Sequence, residues 1–191
     1  MKQTKRFSLY SIVAIGVMAA FIFVATKLLS IPIMTPSGKV MLKTANALCL
    51  LFGTLFGGVP AGLAAGIGSG LFDLTDPVYA PTAWLTFIKF FLMAFLCGKI
   101  AYARGARGTN HKQNIAGAVC GALFLYVFFI IERIVTLMVG GSAFVPALIA
   151  VSPIFLTSGF NAVFSVVVSQ IFAPVLLRAL AATAFYQKLE A

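Results

Sequence analysis

Charged and amide side chains stand inside or beside apolar stretches of this sequence. Lys89 and the adjacent Glu132 and Arg133 lie within long apolar runs, and Asp73 follows a glycine-rich apolar run. A charged group in the middle of a membrane helix costs roughly 3 kcal/mol on insertion scales, so it faces a cavity or a partner. Ammonium, carboxylate and amide groups in an apolar surrounding can hold a small polar molecule through a few directed hydrogen bonds. The pattern therefore predicts a binding site.

The candidate binding residues share this setting, since each is polar, charged or aromatic within or next to an apolar run. They are Asn46, Asp73, Trp84, Lys89, Glu132, Arg133 and Asn161. Trp84 is either a stacking platform for a ring or an interfacial anchor. Neighbouring residues on a helix point about 100° apart, so Glu132 and Arg133 are not expected to face the same point. One of them could instead form a structural bridge with Lys89 or Asp73.

Catalytic chemistry finds no support in the sequence. A glycine-rich phosphate loop followed by Lys and Ser or Thr is absent. His111 is the single histidine and lies in a polar segment, while the three cysteines show no metal-ligand spacing. We therefore expect no catalytic residues, no metal site and no cofactor, and the chain is not expected to be an enzyme.

Composition indicates which kind of element carries the candidate residues. Hydrophobic residues make up 61% of the 191 residues and charged residues only 9%, whereas soluble domains carry about 25% charged residues. Each membrane helix needs roughly 20 apolar residues. The chain is therefore predicted to be an all-α, polytopic membrane protein with a bundle of six transmembrane helices, five being the alternative. Residues 1–191 form one transmembrane substrate-binding domain in this interpretation.

Six apolar runs define the predicted helices, and their bounds follow from prolines, glycines and polar segments. They cover roughly residues 7–29, 43–56, 60–72, 81–103, 114–139, and 146 or 153 to 177. Two prolines and a glycine within residues 31–38 predict a loop. This loop is placed to act as a lid over the candidate residues.

The cations set the predicted orientation and argue against nucleic acid as a partner. The net charge of +10 comes largely from residues that flank apolar runs, as cytoplasmic anchors do. They include Lys2, Lys5, Arg6, Lys99, Arg104, Arg107, Lys112, Arg178 and Lys188. With six spans these positions share one side, so both termini are expected in the cytoplasm. The candidate residues then gather at the opposite, outer end.

Small residues recur at four-residue spacing in two helices, which lets helix backbones approach closely in a bilayer. Gly58, Gly62, Gly66 and Gly70 form such a row in helix three. Internal packing is the interpretation we favour for this row, with a docking surface as the alternative. Gly16 and Ala20 repeat the spacing in helix one, where a docking role and internal packing are evenly balanced.

Residues 50–62, Leu-Leu-Phe-Gly-Thr-Leu-Phe-Gly-Gly-Val-Pro-Ala-Gly, and residues 66–74, Gly-Ile-Gly-Ser-Gly-Leu-Phe-Asp-Leu, carry a family resemblance. Together with Tyr79-Ala80-Pro81 and the following Lys89, they resemble the substrate-binding S component of energy-coupling-factor (ECF) vitamin transporters. The similarity points to the branch that serves riboflavin, pyridoxine and hydroxymethylpyrimidine-type precursors. It extends over nearly the whole chain, with its specific part in residues 50–90.

The resemblance implies a high-affinity subunit that captures a water-soluble vitamin outside the cell. Such a subunit docks on a transmembrane scaffold driven by two ATPases, and the loop after helix one covers its site. Family members carry Ala-x-x-x-Ala in helix one for scaffold contact, and the nearest match here is Gly16 and Ala20. A self-sufficient secondary transporter or channel is the alternative, although no inverted repeat of two three-helix halves is visible.

Overall fold

A computed structural model of the protein describes residues 8–35 and 38–183. Within these ranges the chain forms six α-helices, which confirms the predicted all-α polytopic membrane fold. They are α1 (Leu9–Leu28), α2 (Ala45–Phe56), α3 (Gly58–Leu74), α4 (Ala83–Ala101), α5 (His111–Val139) and α6 (Phe144–Ala181). The anchors predicted at Lys2, Lys5, Arg6 and Lys188 lie outside the described residues.

The helices differ in length, and the two shortest are adjacent in sequence. Helices α1, α4, α5 and α6 are long and apolar enough to cross a bilayer. Helices α2 and α3 have 12 and 17 residues, which corresponds to about 18 and 26 Å at the α-helical rise. Both are shorter than the roughly 30 Å of a bilayer core. Neither helix is therefore long enough to cross the bilayer core by itself.

The segment after α1 is a β-hairpin, so the prediction of a loop there was wrong. Strand β1 (Ser30–Thr35) pairs antiparallel with β2 (Gly38–Lys43), with Ile31 opposite Leu42. Pro32 pairs with Met41 in this ladder. Both strands of a two-stranded ribbon are edge strands, and an edge strand tolerates a proline because its missing N–H can face outward.

Helix α6 begins at Phe144, two residues before the earlier of its predicted starts, and continues through Pro153. Proline removes the N–H that would bond the carbonyl four residues back, which is that of Ile149. The Ser152 hydroxyl donates to this Ile149 carbonyl at 2.8 Å. The orphaned acceptor is thereby satisfied, and the helix does not need to restart after the proline.

Glycines on α3 allow it to pack closely against α4, which confirms the interpretation of this row as internal packing. A Cβ at Gly66 would lie 2.9 Å from the carbonyl oxygen of Phe87, and one at Gly58 would lie 2.9 Å from that of Phe95. The rings of Phe87 and Phe91 stack at 6.2 Å, so they form a continuous aromatic row against the glycines. Helix α3 therefore approaches the backbone of α4 where no side chain would fit.

Helix α1 packs on the opposite side of α3 through a different face from Gly16 and Ala20. A Cβ at Gly68 would meet the Ala19 carbonyl oxygen at 2.5 Å, and Ile22 is fully buried beside it. Gly16 and Ala20 are exposed, and nothing lies within 4 Å of a Cβ placed at Gly16. The Gly16 face therefore points away from the bundle.

Candidate binding cavity

A cavity of about 230 Å³ opens between the hairpin and five of the helices. Strand β2, helices α2 to α6 and the segment that joins α3 to α4 each contribute side chains to its wall. Six of the seven candidate residues line it: Asn46, Asp73, Lys89, Glu132, Arg133 and Asn161. The sequence predicted only that these residues lie at the same end of the bundle. The structure shows that they line one cavity, although they come from five helices.

An ion pair between α4 and α5 occupies one wall of the cavity. The Lys89 ammonium lies 2.6 Å from Glu132 Oε2, and the two side chains are only 6% and 12% exposed. Lys89 Nζ also lies 5.4 Å from the centre of the Phe129 ring. At this burial each charge depends on the other, because removing one partner leaves an uncompensated charge in an apolar surrounding.

Glu132 and Arg133 both line the cavity, but at different points of its wall, as expected for neighbouring residues of one helix. The cavity spans enough of α5 for neighbouring residues to reach different parts of its wall. Lys89 and Arg133 share one ring, since the Arg133 guanidinium carbon lies 5.1 Å from the centre of Phe129. Glu132, by contrast, turns towards α4 and pairs with Lys89.

Asn161 connects α6 to the hairpin through both ends of its amide. Its Oδ1 accepts a hydrogen bond from the Lys43 backbone N–H at 3.2 Å. Its Nδ2 donates to the Met41 carbonyl oxygen at 3.0 Å. An amide that binds two backbone groups of one strand fixes the position of that strand, so Asn161 acts on the hairpin as well as lining the cavity.

Asn46 differs from Asn161 because part of its amide has no partner. Asn46 is 6% exposed, and its Oδ1 is buried without a hydrogen bond to any described residue. A buried acceptor left unpaired costs about 1–3 kcal/mol. Since Asn46 lines the cavity, a donor on a bound molecule could satisfy this oxygen.

Lys43 lines the cavity as well, although it was not among the candidate residues. Its ammonium lies 3.5 Å from Asp73 Oδ1, and the Asp73 side chain is only 3% exposed. The sequence placed Lys43 at the start of helix two near Asn46 but gave no sign of a hairpin that ends there. The direction of this side chain could not be inferred without the hairpin.

Several further residues of the wall could have been found from helical spacing. Thr86 and Met93 stand three residues before and four after Lys89 on α4, and Phe129 and Thr136 stand three before and four after Glu132 on α5. Residues at these spacings share a helix face. Tyr79 comes from the segment between α3 and α4, where spacing gives no such signal.

The Tyr79 hydroxyl remains protonated at neutral pH. Burial raises the pKa of Tyr79 to about 12, while the charge of Arg133 opposes this rise and those of Asp76 and Asp73 add to it. A neutral phenol can both donate and accept a hydrogen bond. Tyr79 therefore adds an uncharged hydroxyl to a wall that holds two carboxylates, three cations and several other neutral polar groups.

Trp84 does not line the cavity and is 65% exposed at the beginning of α4. An exposed tryptophan at a helix end suits the role of interfacial anchor, which was the alternative interpretation of this residue. Both interpretations of Trp84 remain predictions. The cavity has its aromatic surfaces elsewhere, in Phe90, Tyr126 and Phe129.

Together these groups suit a small polar molecule with a flat ring. The wall combines carboxylate, ammonium, guanidinium and amide groups with aromatic faces, and ligand pockets of this kind use a few polar groups to orient a ligand held by apolar ones. The ion pairs Lys43–Asp73 and Lys89–Glu132 offset four of the five charges in the wall, and Arg133 is the fifth.

Comparison with known proteins gives the cavity its context. A family model described as ECF-type riboflavin transporter, S component, matches residues 6–182. No individually curated protein matches the chain. The family match covers most of the chain and confirms the resemblance carried by residues 50–90. The chain therefore belongs to the family of ECF-type riboflavin transporter S components.

Proposed function

We propose that this protein is the membrane-embedded binding subunit of an ECF-type transporter. It captures a water-soluble vitamin or vitamin precursor outside the cell for ATP-driven uptake by a partner module. The cavity is the observation that carries this proposal, because six polar residues from five helices line it together with aromatic side chains. The family description makes riboflavin the first ligand to test.

Riboflavin fits the chemistry of the wall in two respects. Its flat isoalloxazine ring can stack on the aromatic side chains of the cavity, and its edge and ribityl hydroxyls offer donors and acceptors. The unpartnered Asn46 oxygen needs a donor, which a ring N–H or a hydroxyl could supply. Pyridoxine and hydroxymethylpyrimidine also carry donors on a ring, but they offer less aromatic area.

Direct titration tests the ligand. Full-length protein in detergent is titrated into riboflavin while the flavin fluorescence is recorded, since stacking on aromatic side chains quenches it. Saturable quenching with a sub-micromolar Kd is expected, with pyridoxine and hydroxymethylpyrimidine as unlabelled competitors. If riboflavin fluorescence is not quenched and calorimetry detects no heat of binding for any of the three compounds, the vitamin-binding function is contradicted.

The partner module is tested by uptake. The proposal includes a transmembrane scaffold subunit and two ATPases, in the cell membrane, with the Gly16 and Ala20 face of α1 as the scaffold contact. Liposomes that hold this chain alone should bind the vitamin but not accumulate it. Accumulation without ATP or partner subunits would instead identify a self-sufficient secondary transporter or channel.

A further inference from the structure

The Lys43 ammonium is enclosed by three aromatic rings and a carboxylate. Its Nζ lies 5.4 Å from the ring centres of Phe72 and Phe90 and 6.0 Å from that of Tyr79. Asp73 Oδ1 lies 3.5 Å away. Aromatic faces around a cation form the arrangement with which proteins bind alkylammonium groups. We call Phe72, Asp73, Tyr79 and Phe90 the ammonium cage.

The cage and the lysine come from separate parts of the fold. Phe72 and Asp73 belong to α3, Tyr79 to the segment after it and Phe90 to α4, whereas Lys43 is the last residue of β2. The side chain of Lys43 therefore connects the hairpin to the bundle. The Asn161 amide makes a second connection, because it binds the backbone of Met41 and Lys43.

Two apolar side chains of β1 are exposed to the surroundings of the bundle. Ile31 is 64% exposed and Met34 is 83% exposed. An isolated two-stranded hairpin is at best marginally stable in water, so its contacts with the bundle determine where it lies. Among the described residues, Met41 and Lys43 of the hairpin make such contacts, since both line the cavity and bond Asn161.

We infer that the Lys43 ammonium is a tethered ligand of the ammonium cage, and that its occupancy holds the hairpin against the cavity. Lys43 is thus a positioning residue, and its charge holds the hairpin in place in the vitamin-free protein. The inference rests on the proposed function only in taking the ligand of the cavity to be a vitamin. The cage itself is a cation-binding site for a primary alkylammonium group, supplied here by the chain.

Hydrogen exchange of the vitamin-free, full-length protein in detergent tests this role. Lys43→Met removes the charge and keeps an unbranched stem, so amides of the hairpin should exchange about tenfold faster. Lys43→Arg keeps a cation that can stack on rings and should stay close to the wild type. The helices should keep their exchange rates in both variants.

Two other lysines provide matched controls. Lys27 is exposed at the end of α1, and Lys99 lies 5.3 Å from a single ring, that of Phe95. Lys27→Met and Lys99→Met should leave hairpin exchange unchanged. Unchanged hairpin exchange in Lys43→Met would overturn the inference, as would faster exchange spread over all helices.

Chemical rescue tests the cage independently of the side-chain change. In Lys43→Ala, propylammonium chloride should slow hairpin exchange in a saturable way, while sodium chloride at equal concentration should not. Equal effects of the two salts would overturn the inference. No vitamin is present in these measurements, so their outcome is separate from that of the riboflavin titration.

Discussion

The ion pair between Lys89 and Glu132 combines two roles that a single substitution would mix. Both residues line the cavity, and their charged atoms lie 2.6 Å apart with little exposure to solvent. Removing one partner of a buried pair strands the other charge, whereas replacing both by neutral groups of similar size is often tolerated. A loss of vitamin binding in a single variant would therefore not identify the residue that contacts the ligand.

The first prediction separates these roles. Lys89→Met and Glu132→Gln should each destabilise the protein by about 3 kcal/mol because each leaves a buried charge uncompensated. The double variant should recover most of that stability, measured by thermal unfolding in detergent. Vitamin affinity should remain at least tenfold weaker in the stable double variant. Full recovery of affinity in that variant would assign the pair a structural role alone.

The second prediction contrasts the two asparagines of the cavity. Asn46→Ala removes an acceptor that has no partner in the described protein, so vitamin affinity should fall about tenfold while ligand-free stability stays the same or rises. Asn161→Ala breaks two hydrogen bonds to the hairpin and should lower both affinity and hairpin protection. Unchanged titration curves for both variants would exclude the two asparagines from the binding site.

Among the elements, the packing of α3 could be predicted from local sequence, whereas the hairpin could not. The glycine row of α3 predicted close helix packing, and the structure shows that α4 is the neighbour. The hairpin was hidden because Pro32 and Pro36 are typical of loops, and because short strands without a regular alternation of polar and apolar residues give little signal. Its strands are stabilised by pairing with each other, which the residue pattern of either strand alone does not show.

The third prediction compares two glycines of the same row. Gly66→Ala would place its Cβ 2.9 Å from the Phe87 carbonyl oxygen, so the protein should lose roughly 1–3 kcal/mol of stability through overpacking. Gly70→Ala has its nearest contact at 3.5 Å and should be neutral or stabilise the helix by up to about 1 kcal/mol. Unfolding of both variants in one experiment provides the comparison, and equal effects would argue against close packing at Gly66.

For the whole molecule, the position of α1 decides which surface can meet a partner. Ala19 and Ile22 face α3, which leaves Gly16 and Ala20 on the outward face of the helix. Small residues on an outward face let a second helix approach closely in the bilayer. The proposed scaffold contact is therefore accessible without any change in the bundle or the cavity.

The fourth prediction tests that surface. Gly16→Leu should leave vitamin binding and stability intact, since nothing lies within 4 Å of a Cβ at this position. Uptake with the scaffold and ATPases should fall by about tenfold or more, because a leucine would keep the partner helix away. Val127→Leu, at a 50% exposed site on α5, is the control and should transport normally. Normal uptake by Gly16→Leu would exclude this face as the dock.

Sequence alone was sufficient for the membrane class, the six helices, the family and six residues of the cavity wall. These properties depend on the length and order of apolar runs and on where polar residues interrupt them. Both can be read from the order of residues along the chain. Asp73 and Lys89 stood out because a charge inside or beside an apolar run is costly wherever the helix packs.

Only the tertiary structure decided which polar groups meet. Lys89 pairs with a residue 43 positions away, Lys43 with one 30 positions away, and Asn161 bonds a backbone N–H 118 positions away. Such contacts depend on how each helix is rotated and on the hairpin that directs Lys43 into the ammonium cage. Rotation and hairpin position follow from packing between distant segments, which no local pattern of residues contains.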